Sequence, residues 1–489
     1  MTTRQLILFA VILFTYLIAG VLFATLTPPW QAPDEPAHYN YIRYLGTHTD
    51  FPELVAGCYN QDYLSRLTAQ RFPPQLPIDT ICYEFHQPPL YYLLATPFYL
   101  LGDGSLTVLR LVSVVLGAGV VILAFFVANT IFPKNLALTG GTMALVAFVP
   151  MHTAILASVN NDALAELLLA GVLLLLARRM TAATPPTVAQ DIILGVMLGL
   201  GLVTKTTVYI AVVLVGVAVL LPVLGSKITI RKFAGQVALI FGLALLIAAP
   251  WYLRNAGLYG SLDVLGLTRH NEVVVGQLRT TSYLAEVGAV AYARNFGLTT
   301  FKSFWGQFGW MAVPMDTRTY RLLLALAGIA GAGLTAFLVQ QWRGSPNRQF
   351  ELSTAQWQAL GLLALTVALV LVAYSGYNLS FVQFQGRYLF PGLIPLSLFL
   401  SLGLSEACRP RWTWWLVGGL ALVLLWLLLR SGLDKRAALL LLAFAGAAAA
   451  RKIWPALAEP LSVGLLAACY VALAGLTLLS PYWFVLPYL

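Results

Sequence analysis

Apolar runs long enough to cross a lipid bilayer recur from one end of this chain to the other. That feature removes most of the folds open to 489 residues. A helix needs about 20 mostly apolar residues to span the hydrocarbon. Leu6 to Leu26 is the first such run, and others follow almost to the C-terminus. Hydrophobic residues make up 59% of the chain and charged residues 10%, against roughly 25% charged in a soluble domain. Such a chain cannot coat a water-facing surface. A soluble enzyme, a disordered chain and a disulfide-built secreted domain are excluded. The formal charge of +10 is assigned to cytoplasmic loops and sites for anionic lipid, not to nucleic acid.

Spans follow from apolar length, and orientation from Lys/Arg placement. The first, about 6–26, is read as a retained helix rather than a cleaved signal peptide. No small-x-small site closes the run before Pro28-Pro29-Trp30. Residues 27–106 form a long outer segment holding Asp34, Glu35, Asp50, Glu53, Asp62, Asp79, Glu84 and Asp103. Within it, Leu90 to Leu101 is apolar but only 12 residues long, which predicts an interfacial or re-entrant helix. Spans are expected at 107–131, 136–152, 163–177, 190–204, 207–224 and 233–251, with Arg178-Arg179, Lys227, Arg231 and Lys232 inside. A second outer segment, 252–318, precedes spans at 321–340, 357–374, 388–405, 412–430, 437–450 and 457–479. The expected fold is an all-α polytopic membrane protein of about 13 transmembrane helices. This count places Arg430, Lys435 and Arg436 outside, against the positive-inside tendency. The chain divides into a catalytic module over 1–400, with both outer loops, and C-terminal helices over 401–489.

Charges close to hydrocarbon are costly, so clustered ones at the outer membrane face are functional candidates. Pro33-Asp34-Glu35-Pro36 lies just beyond the first span. Pro36 suits the first turn of a helix with Glu35 or Asp34 at its N-terminal end. A carboxylate general base and a plain helix cap carry about equal weight there. His86 and Gln87 precede Pro88-Pro89 and the short helix, where they suit a phosphate, a sugar or an aromatic belt. Asp162 opens a span as a cap or as a second acid facing the first. Lys205, in an apolar hairpin, calls for an anionic partner such as a lipid phosphate. Arg254 suits interfacial snorkelling or the same pocket. Arg387 follows Gly386, which permits close backbone approach, and a guanidinium binds phosphate bidentately. Ser303 to Trp310 is aromatic and glycine-rich, fit for stacking a sugar or prenyl chain or for an interfacial belt. Cys58 and Cys82 share the first outer segment, where a disulfide and two free thiols are equally open. Cys408 and Cys469 fall at or inside helices, and no spacing suggests a zinc site, a Walker loop or a Ser-His-Asp arrangement.

In these residues the sequence resembles the GT-C superfamily of membrane glycosyltransferases, in the branch of protein O-mannosyltransferases and the lipid A aminoarabinose transferase. The markers stand in the family's order: Pro-Asp-Glu-Pro-Ala-His at 33–38, His-Gln-Pro-Pro-Leu-Tyr-Tyr at 86–92, Asn-Asp at 161–162, Thr-Lys at 204–205, Arg-Asn at 254–255, Ser-Phe-Trp-Gly-Gln-Phe-Gly-Trp at 303–310 and Gln-Gly-Arg-Tyr-Leu-Phe-Pro at 385–391. The resemblance implies transfer of a sugar from a polyprenyl-phosphate donor to an acceptor hydroxyl, with inversion, at the extracytoplasmic face of a bacterial inner membrane. Asp34 would be the base, Glu35 would orient it or contact substrate, and Asp162 would be the second acid. Lys205 and Arg387 would hold the phosphate, with His86 and Arg254 as lesser candidates. The acceptor would be a glycan, a lipid or a protein. No cofactor is expected; a divalent metal between Asp34 and Asp162, which some relatives use, is the alternative. Gln87 departs from relatives that carry a basic residue before the paired prolines. The competing readings are a polyprenyl-lipid transporter or flippase and a ligase using a polyprenyl-diphosphate glycan.

Overall fold

The computed structural model describes residues 1–225, 228–346, 348–431 and 435–489. Helices dominate, joined by short 3-10 turns, with one two-stranded antiparallel pairing, Gln307–Phe308 with Val313–Pro314. Helix α1 (Thr3–Leu26) opens with a capping box between Thr2 and Gln5. The first loop carries α2 (Glu35–Thr47), α3 (Gln61–Ala69) and α4 (Leu90–Leu101). Helix α4 matches the short helix expected before the second span, with Leu100 and Leu101 exposed at its end. Helix α5 (Leu106–Ile131), capped by Ser105, returns through the bundle.

Helices α6 (Leu136–Ala147) and α7 (Pro150–Leu156) form one bent unit, broken by 63° at Pro150. Proline cannot donate to the preceding turn, so the break frees carbonyls. Side chains from the next turn take two of them: His152 Nδ1 lies 2.8 Å from Val146 O, and Thr153 Oγ1 donates to Ala147 O at 2.9 Å. The other ring nitrogen of His152 lies 2.8 Å from Glu166 Oε2 of α8 (Asp162–Thr181), pinning the bend to its neighbour. Helices α9 (Val188–Leu202), α10 (Ile210–Leu224) and α11 (Ile230–Tyr259) follow. The second loop contains α12 (Leu267–Val273), α13 (Thr280–Val287) and α14 (Ala289–Trp305). Then come α15 (Thr317–Trp342), α16 (Thr354–Asn378), α17 (Leu393–Ala407), α18 (Thr413–Ser431), α19 (Lys435–Ile453) and α20 (Ala458–Ser480). The largest apolar core joins α1 and α5 to α11 with α14 to α17 and α20.

Among the described residues, nine helices are long and apolar enough to cross a membrane, or ten with the bent pair as one span. This is fewer than the 13 expected, for identifiable reasons. Helix α9 has 15 residues, and α8 carries Asp162, Glu166, Arg178 and Arg179. Helix α19 has Lys435 at one end and Arg451 and Lys452 at the other. Lys227, expected to mark an inner end, lies outside the described residues, as do the side chains of Arg430 and Arg436.

Candidate active site

Asp34 organises the site. Pro36 occupies the first turn of α2, and Asp34, the residue before the helix, has a left-handed φ of 66°. Asp tolerates that conformation better than most side chains. Its carboxylate makes no cap hydrogen bond, so the helix-cap reading is not realised. Instead Oδ1 accepts from Tyr83 Oη at 2.8 Å, and Oδ2 from Arg387 Nη2 at 2.5 Å. Burial raises the Asp34 pKa, but the charge of Arg387, that of His38 once acid protonates it, and the hydrogen bonds from Arg387 and Tyr83 outweigh it, holding the carboxyl at about 2.

Glu35 points away from Asp34 and is fully buried. Its Oε1 accepts from Arg110 Nε at 2.8 Å and from Val159 N at 3.1 Å. Its Oε2 accepts from Arg110 Nη2 at 2.6 Å and from Trp30 N at 3.2 Å. Arg110 also donates to the carbonyls of Ala24, Thr27 and Pro28, at 3.1, 2.6 and 3.1 Å. Glu35 and Arg110 therefore lock residues 24–35 onto α5. Arg110 escaped the sequence reading. Its signal was a lone arginine inside an apolar run, which requires a partner.

Asp162 starts α8, and its N–H donates to Asn160 Oδ1 at 2.9 Å. Its Oδ1 accepts from Lys205 Nζ at 2.6 Å. Lys205 can reach it because α9 has already ended at Leu202 and a single 3-10 turn, Thr206–Tyr209, leads into α10. Arg387 depends on Gly386: a Cβ there would lie 2.3 Å from Phe304 N and 2.4 Å from Thr300 O. The close approach lets Gly386 N donate to Ser303 Oγ at 2.7 Å, which fixes the turn against α14. Arg387 Nε donates to Gln385 Oε1 at 2.7 Å, while its Nη1 is buried without a partner.

These groups line one cavity of about 710 Å³ at the bundle end that carries the two long loops. Asp34, Asp162, Lys205, Arg387 and His86 all line it, joined by His38, Glu84 and His270, which sequence reasoning had not placed there. Burial and the Lys205 charge push His38 down to about 3, so its imidazole is neutral. Burial and His270 push His86 down to about 3 as well. Its Nδ1 is 3.0 Å from Tyr83 O, which assigns the proton to that nitrogen. The Cys58–Cys82 disulfide forms and ties the Tyr83–His86 turn to the loop before α3.

Two candidates stand elsewhere. Arg254 is outside the cavity lining: Nη2 donates to Phe51 O and Pro52 O at 2.9 and 2.8 Å, and the guanidinium covers the Trp251 ring at 4.8 Å. It clasps the first loop to α11. The 303–310 segment packs inward, with Trp305 and Phe308 buried and Trp310 Nε1 donating to Trp30 O at 2.9 Å. Among the described residues, no three His, Cys, Asp or Glu side chains come together as metal ligands. Asp34 and Asp162 do not fit a shared divalent ion as they stand, since each faces its own cation.

The resemblance to GT-C-type membrane glycosyltransferases carried by the motifs is borne out by a family match over part of the chain and by the fold. The family described as dolichyl-phosphate-mannose-protein mannosyltransferase matches residues 86–253. No curated protein matches the sequence. ArnT from Cupriavidus metallidurans, crystallised with undecaprenyl phosphate, aligns with 98% of this chain and 78% of its own, at 14% identity and TM-score 0.54. Its apo form aligns over the same shares at 15% identity and TM-score 0.56. Archaeal oligosaccharyltransferase AglB from Archaeoglobus fulgidus aligns with 94% of this chain and 56% of its own, at 14% identity and TM-score 0.47.

Proposed function

We propose that this protein transfers a sugar from a polyprenyl-phosphate donor to an acceptor hydroxyl at the extracytoplasmic face of a bacterial inner membrane. The observation that carries the reading is the meeting of Asp34 with Arg387, 353 residues apart, beside the Asp162–Lys205 pair in one cavity. The undecaprenyl phosphate held by the structurally similar ArnT supports the donor class. Counting α8, α9 and α19 with the ten apolar spans, the chain crosses the membrane about 13 times, with residues 27–106 and 252–318 outside.

Asp34 draws the proton from the acceptor hydroxyl, and the acceptor oxygen attacks the anomeric carbon from the face opposite the phosphate, inverting it. The bond from carbon to phosphate oxygen breaks with its electron pair on the phosphate. Arg387, through its unpartnered Nη1, and Lys205 stabilise the charge developing there. Asp162 holds Lys205 in place, Glu35 with Arg110 holds Asp34, and His86 contacts the substrate as a neutral group. No metal step is invoked. A transporter site is expected near the bilayer midplane. Here Glu84, His86 and His270, all from loop segments, line the cavity, which favours chemistry at the surface.

Purified protein is tested with a panel of polyprenyl-phosphate sugars for release of polyprenyl phosphate. Wild type should turn over at least one donor, and Asp34→Asn should lose about 10²-fold or more in kcat. Movement of lipid between leaflets with no release from any donor defeats the transferase reading.

A further inference from the structure

Four carboxyl groups lie in or beside the cavity, and three have defined partners. Glu35 is saturated by Arg110 and two backbone N–H groups. Asp34 accepts from Tyr83 and Arg387, and Asp162 from Lys205. Glu84 differs: among the described residues it alone of the four carries a buried carboxyl oxygen, Oε2, with no hydrogen-bond partner. Leaving such an oxygen unpaired is costly, so it demands a proton or a substrate group. The residue is held by backbone as well as by cavity shape. It sits in the Tyr83–His86 turn, its carbonyl accepts from Gln87 N at 2.9 Å, and Cys82 beside it is disulfide-bonded.

We propose that Glu84 is the proton acceptor in which the transfer step ends: the acceptor's hydroxyl proton, drawn off at Asp34, comes to rest on Glu84 Oε2. The inference rests on the transferase reading and deepens it. The balance is closed: the acceptor O–H bond breaks, its oxygen bonds to the anomeric carbon, the electron pair of the broken bond leaves on phosphate, and the proton neutralises Glu84. Asp34 is a poor place to keep that proton, because Arg387 and Tyr83 stabilise its charged form. The two carboxyls are driven apart, the pattern that separates acid from base in an active site. Burial, then the negative charge of Asp34, pushes Glu84 up to about 7 against the charge of Lys205, a side-chain hydrogen bond with Gln87 and the charge of Arg387, while Oε2 stays without a partner. Tyr92 and Tyr377 face it from α4 and α16.

The sign follows. A base must be ionised to accept a proton, so turnover should rise with pH through a midpoint near 7. The test compares wild type with Glu84→Gln, which keeps the shape and cannot take the proton. Expected are a kcat lower by about 10²-fold, loss of the midpoint near neutrality, and a polyprenyl-phosphate affinity within about twofold of wild type. Infrared titration of wild type, read against the variant, should show a protonated-carboxyl band that disappears through the same midpoint and is missing in Glu84→Gln. A variant with wild-type kcat and an unchanged pH profile overturns this assignment and leaves the transferase reading standing. Failure of wild type to turn over any donor overturns both. Should Glu84→Gln not fold, Glu84→Asp replaces it: a shorter acid should shift the midpoint, and an unmoved midpoint overturns the proposal.

Discussion

Removing Arg110 should do more damage than removing any single group that lines the cavity. Its guanidinium makes five hydrogen bonds, two to Glu35 and three to the carbonyls of Ala24, Thr27 and Pro28. Both ionic side chains are at most 3% exposed. Arg110→Met keeps most of the volume but strands a buried carboxylate and three carbonyls. Breaking one partner out of a buried pair costs about 3–5 kcal/mol. Glu35→Gln is milder, because an amide still accepts one bond from the guanidinium, and about 1–3 kcal/mol is expected. The double variant Glu35→Met with Arg110→Met removes both charges, so its loss should fall well short of the sum of the two Met singles. The assay is a double-mutant cycle on unfolding in detergent, with donor turnover measured on each variant at a temperature where all are folded. Turnover should fall in every variant, because Asp34 adjoins the anchored residue and its left-handed backbone is held by that anchor. Additive losses in the cycle, or singles as stable as wild type, would refute the argument that the pair locks the first loop onto α5.

Three further outcomes follow from the same geometry. Arg387→Lys keeps the charge but cannot bridge Asp34 and a phosphate together; donor affinity should fall about tenfold or more, read by equilibrium binding of polyprenyl phosphate. Replacing Cys58 with Ser opens the tie on the Tyr83–His86 turn and should cost about 2–4 kcal/mol, seen as a lower unfolding midpoint that matches reduced wild type. Asp34 is held at about 2 in the fold against an ordinary 3.8, so its ionised form is the stabilising one. That contribution is complete above the ordinary value and is lost as pH falls toward 2, which unfolding scans of wild type against Asp34→Asn would resolve as converging curves.

Legibility in the sequence tracked how local each cause was. Helix positions followed from apolar length, and Leu90 to Leu101 was found with its bounds because prolines precede it and Gly102 follows it. The count of spans was less readable. A bent pair such as α6 and α7 depends on Pro150 meeting side chains that repair the break, and α8 is tolerated only because Glu166 finds His152 inside the bundle. Site residues with a costly isolated charge were legible: Lys205 in an apolar hairpin had to find an anion, and it finds Asp162. Arg254 was ambiguous because an arginine beside Trp251 snorkels or binds with the same sequence signature, and the fold has it clasping the first loop. Glu84 was invisible as a site residue, since among eight acidic residues of one loop nothing local marks it, as Pro36 marks Asp34 and Glu35, as one whose carboxyl turns inward. The Tyr83–His86 turn, set by contacts 24 residues back through the disulfide, decides it.

The charges in the cavity constrain one another. Arg387 with Asp34 and Lys205 with Asp162 cancel in pairs, and His38 and His86 are neutral. A phosphate brought against Arg387 and Lys205 adds negative charge to that balanced set. An ionised Glu84 would add more in the same confined volume, where like charges repel far more strongly than in water. Proton uptake by Glu84 during transfer offsets the charge that leaves the sugar on the phosphate oxygen. Removing the neighbouring charge of Asp34 should therefore make Glu84 easier to ionise. The Glu84 midpoint should be lower in Asp34→Asn than in wild type, a shift readable by infrared titration even where that variant no longer turns over. A midpoint unmoved by Asp34→Asn would mean that the two carboxyls do not sense each other, and the proton path from one to the other would have no electrostatic basis.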